Sequence, residues 1–464
     1  MSNQLTKADA VRKRKEGNPN NLFHALRTGG PIVWLSCIVM GLGNIVAGQF
    51  IKGLMFLGIE AAIIYLIAMP QGCLERILDL PALGTVKDQS TLNEELSMLE
   101  YEIFDDSARI LLYGVIGIVI IGVLIFFWQV SVRSGNVALH RRRTGKRVNN
   151  FWQDIKGLFD ENIHKLLMTF PFVCLMMFTV IPLLYMLCMA FTNYSSDNQH
   201  TAMFDWVGWD VFKKFFASTD AIGQQFWGVL GWTLVWAFFA TFLNFFLGTF
   251  VAMIINRPST KLKGLWRTVF SFTIAVPQFV SLLLIQTMFK EQGIVNNMLI
   301  DNGFVSEPVG FLTDVNTARV FVILINLWVG IPYTIMQVTG ILKNIPSDLY
   351  EAARIDGANA VQQFMNITLP YMIFVLTPYI ITSFTGNINN FNVIFLLTGG
   401  GPTPVGSEAG KTDLLVTWLY NMSMGKQKYN VAAVIGIFTF IMLAVLSLVT
   451  YRSSGSYKDE EGFK

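Results

Sequence analysis

The sequence predicts an all-α fold, a polytopic membrane protein of about eight transmembrane helices. Three observations predict it. Of 464 residues, 53% are hydrophobic and 14% are charged, where a soluble protein carries about 25% charged residues; the mean hydropathy is +0.49. Eight apolar stretches reach the roughly 20 residues that a helix needs to cross a hydrocarbon core about 30 Å thick. Lys and Arg gather in alternate loops, as retention of basic residues on the cytoplasmic side requires. Lipid offers the backbone no hydrogen bonds, so each span must satisfy its own amides as a helix.

Residues 1–30 form a basic segment with Lys7, Arg12, Lys13, Arg14, Lys15 and Arg27. The N-terminal membrane segment, 31–164, opens with a short apolar run at 32–47 that contains Gly41, Gly43, Asn44 and Gly48. That run is either a span or a re-entrant segment. Spans 51–70 and 109–130 follow, then a loop with eight basic residues between 131 and 165, among them Arg141, Arg142 and Arg143. Segment 165–225 holds the span 165–191 and a short loop carrying Trp206 and Trp209. The core, 226–452, holds spans 226–255, 266–288, 320–341, 371–397 and 430–451, and a tail occupies 453–464.

Charge orients these spans. Residues 256–267 hold Arg257, Lys261, Lys263 and Arg267, whereas loop 71–108 has two basic residues against nine acidic ones and loop 289–317 has only Lys290. If 32–47 does not cross, all three basic segments fall on one side and both termini are cytoplasmic. Loop 398–429, with Lys411, Lys426 and Lys428, breaks the pattern.

Several functions lose support. A net charge of +3 gives no sign of a nucleic-acid partner. Cys37, Cys73, Cys174 and Cys188 show no C-x-x-C spacing, and His24, His140, His164 and His200 are scattered, so neither a metal nor another cofactor is expected. No cleavable signal peptide is evident. "GSEAGKTD" (406–413) imitates a phosphate-binding loop, but one residue too few separates its first Gly from Gly-Lys-Thr. The chain is not expected to bind ATP or to be an enzyme.

A polar insert interrupts the apolar core at "EAARIDGANAVQQFMNITLP" (351–370). Asp348 and Glu351 fit a capping box for a helix start, with Ser347 as another cap. Gly357 is placed to end that helix. A second short helix should begin at Asn359 and close at Leu369-Pro370. Taken alone, the insert could equally be an amphipathic helix lying in the headgroups.

The insert resembles the coupling loop of ABC importer permeases. That loop reads E-A-A, three residues, G, nine residues, I, one residue, L-P, and Glu351, Ala352, Ala353, Gly357, Ile367, Leu369 and Pro370 match every spacing. Stretches 325–353 and 383–402 are similar to the larger permease subunit of maltose/maltodextrin importers. The resemblance implies a type I permease core in the bacterial cytoplasmic membrane. It also implies a coupling loop at 346–370, with Asp356 beside the matched residues, that docks on a separate ATPase dimer. Further implied partners are a second permease subunit, an extracytoplasmic solute-binding protein and membrane lipid, with a malto-oligosaccharide as cargo.

The site follows from chemistry and resemblance together. Sugar hydroxyls both donate and accept, as Asn does, and uncharged amides inside a membrane mark a lined cavity or a helix contact. Asn326, Val329, Gly330 and Tyr333 on the sixth span match sugar-contacting positions, as do Ser383, Asn387 and Asn390 on the seventh. Gly386 stands where the best-known relatives carry an aromatic residue. Pro171, Pro182, Pro277, Pro332 and Pro378 are expected to break their spans, and Gly386 to interrupt the seventh. Two other classes remain: an ion-coupled carrier using the mid-span Glu60, and a membrane-embedded enzyme, for which no clustered acids or activated nucleophile appear at membrane depth.

Overall fold

The computed structural model describes residues 21–69, 72–84, 91–93, 98–100, 106–197, 203–217, 221–257 and 259–453. Lys7, Arg12, Lys13, Arg14 and Lys15, and the tail from 454, lie outside them. Among the described residues, seven helices are long and apolar enough to cross a membrane, or eight if one sharply bent pair is counted as a single span. The chain divides into two units: one drawn from Met1–Tyr194 and Asn198–Trp206, the other from Ser195–Asp197 and Val207–Lys464.

The first unit contains α1 (Leu22–Thr28), α2 (Pro31–Leu35), α3 (Leu42–Val46), α4 (Phe50–Ala68), α5 (Cys73–Asp79), a two-stranded antiparallel pair β1 (Thr91–Asn93) and β2 (Met98–Glu100), α6 (Ser107–Arg143), α7 (Phe151–Phe159) and α8 (Ile163–Met189). Helix α6 has 37 residues, or about 55 Å, more than a bilayer core needs. Its basic end is covered by the run 32–47, which folds as α2 and α3, five residues each and too short to span.

Backbone polarity explains this arrangement. A broken helix leaves amides and carbonyls that need partners, and neighbouring side chains supply them. Trp128 Nε1 donates to the Cys37 carbonyl (2.9 Å), and Ser131 Oγ accepts from Gly41 N (2.7 Å). Asn44 donates to Ser134 Oγ (2.9 Å). Arg142 donates to the Val46 carbonyl, and Arg143 to that of Gly29 (3.2 Å). Glu60 Oε2 accepts from Met40 N (2.8 Å), so the mid-span carboxylate caps the break between α2 and α3. Gly41 takes φ +82°, and a Cβ there would lie 2.1 Å from the Gly53 carbonyl oxygen. Only glycine fits that approach.

The second unit contains α9 (Asp210–Phe216), α10 (Ala221–Asn256), α11 (Lys263–Ala275), α12 (Gln278–Met288), α13 (Ile294–Asp301), α14 (Val315–Leu342), α15 (Ser347–Ile355), α16 (Ala360–Gln363), α17 (Leu369–Ile388), α18 (Phe391–Thr398), α19 (Leu415–Tyr420) and α20 (Tyr429–Ser453). Helices α10 and α14 run parallel and form its axis, with Asn244 against Gly330 and Gly248 against Thr334. Residues Trp232, Trp236, Ala237, Ala240, Leu282, Val322, Ile388, Val393, Ile394, Leu397 and Leu414 make one apolar cluster. Phe245, Ala252, Ile255, Ile335, Val338, Met372 and Leu376 make a second.

The prolines behave differently from the expectation. Only Pro277 breaks its span: α11 and α12 meet there at 86°, because Val276 before it is extended (ψ 127°). Pro171, Pro332 and Pro378 lie inside continuous helices. Pro182 follows a π-turn at Met176–Val180. Pro370 likewise follows a π-turn, at Phe364–Thr368. A widened turn just before a proline absorbs the missing N–H and the ring's clash with the preceding turn. Leu369-Pro370 therefore does not close the second insert helix, which runs unbroken into the next span. Gly386 does not interrupt that span either. The break comes at Asn389 and Asn390, where α17 ends and the Asn390 side chain caps α18 (Oδ1 from Val393 N, 3.3 Å).

At the α10–α14 seam a Cβ on Gly248 would sit 2.5 Å from Thr334 Cβ. Gly248→Ala should destabilise the protein by about 1–3 kcal/mol through overpacking, read as a lower thermal unfolding midpoint in detergent. An unchanged midpoint would show that the seam opens freely.

Candidate functional site

Between the two apolar clusters of the second unit lies a belt of polar side chains at mid-helix. Thr241 and Asn244 on α10, and Asn326 and Thr334 on α14, are all buried. Asn387 Nδ2 on α17 donates to Thr241 Oγ1 (2.9 Å), and the Asn387 carbonyl accepts from Trp236 Nε1 (3.0 Å). Asn390 Nδ2 reaches Asn387 Oδ1 (3.4 Å). Asn244 donates to the Ala240 carbonyl (2.6 Å), and among the described residues its Oδ1, like Asn326 Nδ2 and Thr249 Oγ1, has no partner. Unpaired amide groups at membrane depth are costly, so this belt is where the unit has bonding capacity to spare.

The structure sorts the expected site residues into two groups. Asn387 and Asn390 are joined, half-buried, and beside the fully open Gly386, whose absent Cβ would meet nothing. Ser383 is half-buried one turn earlier, and Tyr333 is 49% exposed. These four are accessible. Asn326, Val329 and Gly330 instead turn toward α10. Asn326 is 5% exposed, Val329 joins an apolar cluster, and a Cβ on Gly330 would strike the Asn244 amide at 2.5 Å. Trp236, Thr241, Asn244 and Thr334 were not anticipated as site residues. Their sequence signal is faint: a four-residue repeat of bulky, small and polar residues on α10 (Trp236, Ala240, Asn244, Gly248), which reads equally as core.

The polar insert forms α15 and α16. Helix α15 begins at Ser347 after Pro346, with no side-chain cap. The Asp348–Glu351 capping box does not form, because Pro346 occupies the cap position and carries no side-chain acceptor. The stop is as expected. Gly357 takes φ +79°, Gly357 N donates to the Arg354 carbonyl (3.1 Å), and Ala358 N donates to that of Ala353 (2.8 Å). That pair is a Schellman motif. Asn359 and Gln362 then cap each other reciprocally (2.8 and 2.9 Å) to start α16. Tyr350 OH bonds Thr368 Oγ1 (2.8 Å), tying α15 to the root of α17. Glu351, Ala352 and Asp356 are exposed, as are Ile355 (87%) and Val361 (69%). The insert thus presents a knob with an exposed apolar tip and flanking acids.

At the other end of α14, the loop from Gly399 to Leu414 folds back on α10, with Trp232 Nε1 donating to the Thr412 carbonyl (3.1 Å) and Thr233 Oγ1 accepting from Leu415 N (3.1 Å). This is the stretch that imitates a phosphate-binding loop; here it joins α18 to α19. The loop's lysines have distinct tasks. Lys426 pairs with Glu408, and Lys428 with Asp197 (3.4 Å), so two of the three basic residues that broke the charge pattern serve as struts. Asp413 is buried and accepts from Gly410 N (2.8 Å) and Thr417 Oγ1 (2.8 Å). Burial pushes its carboxyl above the ordinary value, against the opposing pull of those bonds.

These features define a class: a helical membrane permease with an exposed helical insert at one end of its core and a polar belt at mid-helix. The model for the binding-protein-dependent transport system inner membrane component matches residues 244–455. Over 431 residues, 92% of this chain and 99% of the relative, the chain is 33% identical to the galactooligosaccharides transport system permease protein GanP of Bacillus subtilis. It is 31% identical to the maltodextrin transport system permease protein MdxF of the same species, over 95% of this chain and 99% of the relative. To the maltose/maltodextrin permease protein MalF of Escherichia coli it is 36% identical over 252 residues, 53% of this chain and 49% of the relative. A bacterial alginate ABC transporter, solved with a periplasmic protein bound to alginate pentasaccharide, superposes with TM-score 0.53 at 23% identity, over 66% of this chain and 98% of that one. The chain belongs to the family of inner-membrane components of binding-protein-dependent transport systems. It is a multi-pass permease subunit of an ABC importer and not itself an enzyme; nothing favours the ion-coupled carrier.

Asp413 generates a test. An acid whose folded pKa is raised contributes stability that is fully present below the ordinary 3.8 and is lost as pH rises through the folded value. Asp413→Asn removes this dependence. The variant's unfolding midpoint relative to wild type should therefore climb from about pH 4.5 to pH 7.5; a constant difference would contradict the raised pKa.

Proposed function

We propose that this permease carries malto-oligosaccharides inward across the cytoplasmic membrane, and that an ATPase dimer drives it through Glu351, Ala352, Ala353, Asp356, Gly357, Leu369 and Pro370. The observation that carries this reading is α15: an exposed helix held by its Schellman stop and the Tyr350–Thr368 bond, bearing the family's coupling pattern. Both termini lie in the cytoplasm on this reading. The short helices α2 and α3 support it, since a non-crossing 32–47 leaves the basic segments on one side. A second permease subunit completes the channel, and an extracytoplasmic solute-binding protein delivers the sugar.

Sugar hydroxyls are read by Asn387, Asn390 and Ser383, with Tyr333 offering a ring face. Asn326, Val329 and Gly330 complete the wall from the buried side of α14. A relative that carries galacto-oligosaccharides and others that carry maltodextrins leave the sugar to be decided by uptake. The open space at Gly386 favours an extended glucan over a single tight disaccharide.

Two measurements test this. In the reconstituted importer, maltotriose to maltohexaose should stimulate ATP hydrolysis and uptake, and Asn387→Ala should cut uptake at least tenfold while the subunits still assemble. Stimulation by galacto-oligosaccharides alone would replace the substrate assignment. Glu351→Lys should abolish uptake with membrane insertion intact, because reversed charge at the docking helix disfavours its cleft; normal uptake would refute the coupling role.

A further inference from the structure

We infer that a pocket around Arg319, at the end of α14 remote from the coupling helix, receives an acidic side chain of the docked solute-binding protein. The proposal rests on the orientation proposed above. From Arg319 to Leu342 the helix rises about 35 Å, so with α15 in the cytoplasm Arg319 reaches the outer surface.

The pocket is built around one cation. The Arg319 guanidinium stacks on the Trp232 ring (4.5 Å to its centroid), and its Nε donates to the Lys411 carbonyl (2.9 Å). Stacking and that bond fix the plane of the group. Its terminal amino groups find no partner among the described residues. Lys411, exposed on the same rim, has no ion pair among them either. The acids nearby are already engaged. Asp413 is turned inward onto Gly410 and Thr417, and Glu408 is held by Lys426 and Lys428. Two uncompensated positive charges therefore face one opening with a preset orientation.

Size selects the ligand. The pocket holds about 160 Å³, below the roughly 300 Å³ at which small-molecule sites begin. It admits the head of a side chain and not an oligosaccharide. A planar guanidinium with two free amino groups matches a carboxylate in bidentate fashion, and Gln224 and Gln225 line the entrance. The rim lies on the loop carried by α18 and α19, so a charge seated there touches an element continuous with the polar belt.

The test uses the whole importer in nanodiscs and its purified, maltotriose-loaded binding protein, with ATPase stimulation titrated at low and high salt. Arg319→Gln keeps the size of the side chain and removes its charge; Lys411→Gln alters only an exposed side chain. Arg319→Gln should raise the half-saturating concentration of binding protein roughly tenfold, and Lys411→Gln several-fold, with flattened salt dependence and unchanged maximal rate. Wild-type stimulation with unaltered half-saturation in both variants would overturn the pocket alone. A wild-type complex that the binding protein does not stimulate would overturn the orientation reading and the pocket's partner together. Unaltered docking with selective loss of uronate-bearing substrates would assign the carboxylate to the sugar and overturn the proposal.

Discussion

Close approach of α10 and α14 is the constraint on which the second unit depends. Helices in lipid gain little from burying apolar surface, since the tails are equally apolar, so contact must come from packing and interhelical bonds. Gly248 and Gly330 provide the approach, each lying under a polar side chain of the opposite helix, Thr334 and Asn244. The apolar clusters above and below seal this contact from both ends. Between them, Asn244 Oδ1, Asn326 Nδ2 and Thr249 Oγ1 go without intramolecular partners, at a cost of about 1–3 kcal/mol for each buried group. A seam that withholds hydrogen bonds in one arrangement can gain them in another, which is the property a moving part requires.

The first unit meets the same backbone rule by other means. Its segment 32–47 is too interrupted by glycine to cross as a helix, so its loose amides and carbonyls are collected by Trp128, Ser131 and Arg142 of α6 and by Glu60 of α4, while Ser134 takes the Asn44 side chain and Arg143 the Gly29 carbonyl just before the segment. Arg142, in the basic end of α6, thus also holds a broken segment in place. A carboxylate at mid-span that could belong to a proton carrier is instead bonded to a backbone amide, the least expensive use of such a group in lipid.

Hydropathy made the seven or eight spans legible, because length and apolarity are local properties. The Gly357 stop and the Asn359 start were legible for the same reason: each depends on a few adjacent residues. Proline effects were not. A local rule reads Pro182 and Pro370 as ends, but a single widened turn upstream lets each helix continue. The Asp348–Glu351 pattern failed because the residue before the helix is Pro346, which sets the start by its own geometry. Of the site, the residues of α17 were visible as amides in an apolar run. Their partners on α10 were hidden, since Thr241 and Asn244 acquire meaning only when Asn387 and Gly330 are brought opposite them. Lys426 and Lys428 looked anomalous for a similar reason: Asp197, 231 positions before Lys428, does not announce itself as a neighbour.

The chain runs continuously from the exposed helix α15 to the amide pair of α17. Helix α15 cannot swivel freely, because the Schellman stop, the reciprocal Asn359–Gln362 cap and the Tyr350–Thr368 bond fix both its end and its direction. Beyond it, α16, the π-turn and α17 form one unbroken rod to Ile388, about 40 Å at a helical rise. The rod then stops at Asn389, where Asn387 and Asn390 bridge to the next helix. Along this rod the π-turn is a departure from α-helical bonding, and Thr368 at its end is tied to Tyr350. The rod thus ends where an amide, Asn387, bonds Thr241 of α10. Hydrogen bonds between amides exchange partners at small cost, whereas interlocked side chains must first be unpacked.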